Sequence, residues 1–170
     1  MIQVETDVAP DWPDGDWPTL SARAGQAAVA ASDHAGLADA ADTIEVSVVF
    51  SDDETVRQLN LGWRNKDRPT NVLSFPMIDP DMLRGKRGGG GELLLGDIIL
   101  AYGVCAREAA DKGIPIEHHA AHLVVHGMLH LLGYDHETGE ADAEAMEAVE
   151  RAALARIGIA DPYVLSEVDH

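Results

Sequence analysis

The chain has 170 residues, 46% of them hydrophobic and 5% aromatic, which is enough to bury one core and argues against disorder. Its formal net charge is −18, and a uniform field of that sign repels nucleic acid. No run approaches the roughly 18 apolar residues of a membrane span, the acid-bearing segment Met1 to Pro18 has no base and so differs from a secretory or mitochondrial signal, and the single cysteine, Cys105, excludes an internal disulfide and fits a reducing cytoplasm.

Taken in chain order, the pattern predicts a mixture of strands and helices. Ile2 to Glu5 alternates and is expected to be an edge strand. Asp11 to Pro18 is a turn-rich connection bearing Trp12 and Trp17. Thr19 to Ala40 reads as an alanine-rich helix with Thr19 as its cap. Thr43 to Phe50 is β-branched and apolar, a strand. Ser51 is the candidate cap of the next helix, with Glu54 completing a capping box and Val56, Leu59 and Trp63 on its buried stripe.

A polar loop, Asn65 to Thr70, leads to a short strand, Asn71 to Phe75, that stops before Pro76. Pro80 to Gly91 is an excursion ending in four glycines, Gly88 to Gly91. No Gly-Lys-Ser/Thr follows them, so a hairpin tip is preferred to a phosphate loop. Glu92 to Leu100 is strand-like, either one piece interrupted at Gly96-Asp97 or two short pieces. Tyr102 to Lys112 is a helix ended by Gly113, and Pro115 opens another that runs to about Leu132 and stops at Gly133. Thr138 or Gly139 begins a last, glutamate-rich helix reaching about Ile157. Without an internal repeat or a clean βαβ alternation, the expected fold is α+β. It is a single domain over residues 1–170, with a mixed sheet of about four strands, about five helices and a variable N-terminal segment 1–18.

The charge is unevenly spread. Residues 57–87 hold seven of the 12 bases, Arg57, Arg64, Lys66, Arg68, Arg84, Lys86 and Arg87, against Asp67, Asp79 and Asp81. Residues 137–170 hold nine acids and two bases. The basic window is an ordinary exposed loop or an electrostatic footprint for an anionic substrate. In the second case the acidic last helix is expected to face away from that substrate.

The chemistry concentrates in His126-Gly127-Met128-Leu129-His130-Leu131-Leu132-Gly133-Tyr134-Asp135-His136. Residues four apart on a helix lie about 400° round the axis and about 6 Å along it, so His126 and His130 can grip one ion from successive turns. Continued helix would carry His136 about 240° away. Gly133 resolves this by ending the helix in the left-handed conformation and turning the chain back. Three imidazoles leave a fourth position for water, the arrangement of a catalytic zinc, here at the end of a central helix. Imidazole also suits copper, nickel and iron. A chance pair four apart is common among eight histidines; a triplet with a glycine placed to return the third is not.

His118 and His122 extend the same face upstream, and His122 with His126 is a competing pair that lacks a third ligand on a turn. His122 fits a bond to a neighbouring element or a supporting role, while His118, His119 and His34 are expected to face solvent. The spacing matches H-E-x-x-H-x-x-G-x-x-H of zinc proteases except that Gly127 replaces the glutamate that acts as base. Met146 fits a helix core better than that class's methionine turn. No residue in the pattern identifies a general base.

The segment His126 to His136, read as H-G-x-L-H-L-x-G-Y-D-H, resembles the signature of the YbeY family of bacterial endoribonucleases. Leu59-Asn60, Trp63-Arg64, Asp67-Arg68-Pro69-Thr70-Asn71-Val72-Leu73-Ser74-Phe75-Pro76 and Leu95-Gly96-Asp97-Ile98 agree with it in order. Trp63 stands where a tyrosine is usual. The resemblance runs from about residue 43 to 157. It implies a single-strand-specific, metal-dependent endoribonuclease acting in rRNA maturation, notably at the 3′ end of 16S rRNA, and in ribosome quality control. It implies one zinc ion per chain on His126, His130 and His136, with other divalent metals open, and it makes Arg64 the functional arginine. Arg64 and His126 are then the candidate catalytic residues, and Arg64, Lys66 and Arg68 the candidates for binding single-stranded RNA. The small ribosomal subunit is the implied partner, the cytoplasm the implied location, and no membrane is involved.

Two other readings stand beside this one. A metallohydrolase of a peptide or ester bond is opposed by Gly127. A ribosome assembly factor with a structural metal is opposed by the open three-histidine set.

Overall fold

The computed structural model describes residues 2–36, 43–78, 92–134 and 139–162. Alternation builds its sheet. In β2 (Thr43–Ser51) the side chains of Ile44, Val46, Val48 and Phe50 are buried on one face, and the residues between them are half-exposed on the other. β1 (Ile2–Val8) pairs with β2 in parallel, from Ile2 opposite Ile44 to Val8 opposite Phe50. β3 (Val72–Pro76) runs antiparallel to β4 (Glu92–Ala101), which lies parallel to β2. The order is β1-β2-β4-β3, a mixed sheet with β3 at one edge. Pro76, expected to lie beyond this strand, closes it instead. An edge position tolerates a residue with no N–H to give.

Glu92 to Ala101 is one strand rather than two. Glu45 pairs with Leu94 and Val46 with Gly96, so Leu95 is the extra residue of a β-bulge. Bulges bend a strand and re-aim its side chains. Gly96 is required there, because a Cβ would press on the Phe75 carbonyl and lie 2.7 Å from Leu131.

The described residues form five helices: α1 (Trp17–Ala31), α2 (Asp53–Arg64), α3 (Tyr102–Lys112), α4 (Ile116–Leu131) and α5 (Glu140–Arg156). The first four pack against the sheet, and α5 lies on α1 and α4. The α+β expectation holds. α4 touches β3, β4, α1, α3 and α5 and is buried on nearly every side. It is the central helix, and its C-terminal end carries the site. α2 covers the opposite face of the sheet, where Val56 meets Leu73 and Ala101.

Two helix starts differ from expectation. Asp16, not Thr19, caps α1: its Oδ1 accepts from the Thr19 N–H at 3.2 Å, and Pro18 falls in the first turn, where no N–H is needed. Asp52, not Ser51, caps α2: its Oδ1 accepts from the Thr55 N–H at 2.7 Å, while Ser51 completes β2. Glu54 is then left to pair with Arg57. α1 ends at Ala31 rather than Ala40, with Ser32 turning back to Val29. The Gly88 to Gly91 run lies outside the described residues.

The N-terminal segment belongs to the core. Trp12 is buried, its Nε1–H donates to Ser51 O at 2.8 Å, and its ring meets Trp17, Phe50 and Tyr102 edge-on at 4.9–5.3 Å. Such aromatic contacts each add about 0.5–1.5 kcal/mol beyond buried area.

Cys105 on α3 is fully buried, and burial, reinforced by the carboxylates of Glu108 and Asp53, pushes its thiol up to about 12. Thiolate is the reactive form. Native protein is therefore expected to resist alkylation at mildly alkaline pH and to label only on unfolding. Prompt labelling of the native chain, read by mass, would contradict this packing.

Candidate active site at the end of the central helix

His126 and His130 point from successive turns of α4 to one place. Their Nε2 atoms lie 3.1 Å apart and their rings cross at 78° with centroids 4.6 Å apart. The helix then stops as its glycine requires. Gly133 has φ +103°, its N–H donates to His130 O at 3.0 Å, and the Tyr134 N–H donates to Leu129 O at 2.9 Å. This pair of bonds is the Schellman closure of a helix. Tyr134 is held in turn, its hydroxyl accepting from the Asp33 N–H at 3.0 Å beyond the end of α1. His136 lies outside the described residues. Among the described residues alone, no group of three or more His, Cys, Asp or Glu side chains is placed to hold an ion.

His122 does not join the pair. Its Nε2 is bonded at 2.5 Å to Glu150 Oε2, and the other oxygen of that carboxylate lies 3.1 Å from His126 Nδ1. Glu150 comes from α5 and is 1% exposed. Burial by itself would raise its carboxyl. The hydrogen bonds from both imidazoles outweigh that and hold it well below the usual carboxylate range. The acidic last helix was expected to face away, and this acid turns inward.

The pair opens into a cleft of about 600 Å³. Arg64 and Lys66 form one wall; Thr70, Asn71, Val72 and Ser74 form the side nearest β3. Arg64 is the last residue of α2. Asn65 follows in the left-handed conformation with φ 57°, ending the helix and sending the loop across the cleft. Asn60 anchors that loop from inside: it is 3% exposed, its Nδ2 donates to Arg68 O at 2.8 Å and its own carbonyl accepts from the Lys66 N–H at 3.2 Å. Arg68 does not line the cleft. Arg57 is committed to Glu54 and Asp67. Arg84, Lys86 and Arg87 lie outside the described residues, so the described basic wall is Arg64 and Lys66.

Two histidines expected in solvent are buried. His34 packs behind the turn after α1, its N–H donating to Ser32 Oγ at 3.0 Å. His119, 1% exposed, meets Glu108 at 2.8 Å through Nε2, and Glu108 also accepts from Asn71 Nδ2 at 3.0 Å. The second contact fixes a side chain of the cleft from behind. Burial lowers the His119 pKa, and its pairing with Glu108 only partly opposes this. A histidine lowered in the folded state takes its proton more readily when unfolded. Its effect on stability is neutral above the ordinary value of 6.5 and turns unfavourable as pH falls through it. Denaturant midpoints should therefore fall from neutral toward mildly acidic pH, with a shallower slope in His119→Gln.

The sequence profile of the family described as Endoribonuclease YbeY matches residues 18–158. The chain is 54% identical to the Endoribonuclease YbeY of Rhizorhabdus wittichii, over 98% of this chain and 99% of that one. It is 52% identical to that of Novosphingobium aromaticivorans, over 96% and 97%, and 56% identical to that of Erythrobacter litoralis, over 89% and 92%. The solution structure of TM1509 from Thermotoga maritima is similar in fold, with TM-score 0.52 at 21% identity over 92% of this chain and 91% of that one. The chain belongs to the Endoribonuclease YbeY family.

Proposed function

We propose that this chain is a single-strand-specific endoribonuclease using one divalent ion, zinc, on His126, His130 and His136, with Arg64 on the scissile phosphate. The observation that carries the reading is the convergence of two imidazole nitrogens, 3.1 Å apart, beside Arg64 and Lys66 in one cleft. The donor set fits such an ion. Nitrogens each about 2.0–2.1 Å from one tetrahedral zinc lie about 3.3 Å from each other, close to the separation present.

Hydrolysing a phosphodiester builds negative charge on the phosphoryl oxygens, and catalysis consists largely in meeting that charge. When bound, the ion supplies a Lewis acid for such an oxygen or a water of lowered pKa. The chain's own groups supply the rest. Arg64 offers a planar fork that matches two phosphate oxygens, and Lys66 adds a mobile positive charge. Arg68, on the same loop but off the cleft wall, is assigned to the RNA leading in. The basic wall gives RNA a local approach to a chain whose net charge is −18.

The family points to the 3′ end of 16S rRNA as the substrate, rRNA maturation and ribosome quality control as the setting, the small ribosomal subunit as the partner and the cytoplasm as the place. No helix among the described residues is long and apolar enough to cross a membrane.

The test is cleavage of a labelled single-stranded RNA and of its duplex. Metal-loaded protein should cut the first and spare the second, lose activity to a chelator and regain it with zinc. His126→Ala should be inactive. Equal cleavage by that variant would identify a contaminating nuclease and end the assignment.

A further inference from the structure

We infer that Glu150 is the positioning residue of the histidine site: from α5 it fixes which nitrogen of His126 faces the cleft. This rests on the metal reading above and adds a residue to it. Glu150 sits in the buried stripe of α5 with Met146, Ala153 and Leu154, where every other member is apolar. It divides its carboxylate, Oε1 to His126 Nδ1 at 3.1 Å and Oε2 to His122 Nε2 at 2.5 Å. An ionised carboxylate only accepts, so both nitrogens carry the hydrogen. Neutral, as a metal-ligating imidazole must be, His126 is therefore the Nδ1–H tautomer, with the Nε2 lone pair directed at the place His130 Nε2 also reaches, 3.1 Å away. A metal takes the lone pair, never the N–H.

Turning the His126 ring over would present the wrong nitrogen, and the bond to Glu150 opposes that turn. His122 steadies the carboxylate from its other side, which gives a buried histidine unsuited to the ion a role of its own. A purely structural carboxylate joining α4 to α5 would be needed for stability but not for metal affinity. Carboxylates behind ligating histidines typically change metal affinity about 10- to 100-fold when replaced.

The experiment is zinc titration of the full chain against a chromophoric chelator, for wild type, Glu150→Gln and His130→Ala, with melting followed by circular dichroism. Glu150→Gln is expected to fold and to bind zinc about 10- to 100-fold more weakly. Wild-type affinity in a folded Glu150→Gln protein, with binding lost in His130→Ala, overturns the inference and leaves the metal reading standing. Absence of zinc binding by wild type overturns both. A second measurement needs no variant: long-range ¹H–¹⁵N correlation on the wild-type, metal-free chain should report His126 as the Nδ1–H tautomer. The Nε2–H form would overturn the inference even if Glu150→Gln failed to fold.

Discussion

Arg64→Ala is expected to lower kcat/KM for single-stranded RNA by about 10²- to 10³-fold, equivalent to about 2.7–4 kcal/mol of transition-state stabilisation. The side chain is exposed at the end of α2 and lines the cleft that holds His126 and His130. An exposed position costs little in folding, so the melting transition should move by no more than about 0.5 kcal/mol in stability. Arg64→Lys keeps the charge but loses the two-pronged fork, and should recover only part of the rate. The loss should fall mainly on kcat, because on the proposed role the charge Arg64 meets grows as the phosphodiester breaks. Two neighbours serve as comparison. Arg57→Ala should leave the rate nearly unchanged, since Arg57 is spent on Glu54 and Asp67. Arg68→Ala should weaken RNA binding, flatten its salt dependence by about 0.7 in slope, and spare kcat. A folded Arg64→Ala protein that cuts RNA at the wild-type rate would remove Arg64 from the mechanism.

The end of α4 could be read from sequence because local rules decide it. Histidines four apart on a helix must share a face, and Gly133 must stop that helix; the closure through His130 O and Leu129 O follows. What supports the pair was not legible in the same way. Glu150 and His126 are 24 positions apart, and only tertiary packing brings α5 against α4. One signal was present: a glutamate four residues from both Met146 and Leu154, on what must be the apolar stripe. It was hidden by the eight other acids of residues 137–170, which suggested a solvated helix. Similarly, Glu108 lies on a helix that reads as half-polar, and nothing local foretells that it joins His119 to Asn71.

The fold divides along the same line. β2 declared itself by its β-branched, apolar run. Its pairing did not, since β1 and β4 both lie parallel to it and reach it only across intervening chain. Helix starts were misplaced by a few residues because several cap-forming side chains compete near each end. Asp16 prevailed over Thr19 because Pro18 suits the first turn, and Asp52 over Ser51 because β2 continues through Ser51. Trp12 and Trp17 came from a stretch that looked variable, yet they close the core beside Phe50.

Gly127→Glu is expected to cost more than about 4 kcal/mol of stability and to create no peptidase. The substitution restores the letters of H-E-x-x-H but not their geometry. One residue on from His126, the helix has turned about 100°, and position 127 faces the sheet rather than the cleft. A Cβ built there meets Ile98 at 2.9, 3.2 and 3.3 Å through three side-chain carbons, and Ile98 is fully buried. Overpacking of that kind costs about 1–3 kcal/mol. A carboxylate taken out of water without a partner adds several kcal/mol more, a large share of the roughly 5–15 kcal/mol that holds a domain together. Gly127→Ala separates the two terms: it meets the same contact, regains about 1 kcal/mol of helix propensity and buries no charge, so it should be only mildly destabilised. Urea denaturation of both variants decides the matter. If Gly127→Glu unfolds at the wild-type midpoint, position 127 does not face the sheet. If it also cleaves casein in a chelator-sensitive way, the peptidase reading returns. The glycine that removes a general base from the motif is, on this packing, the glycine that lets the histidine-bearing helix lie against β4.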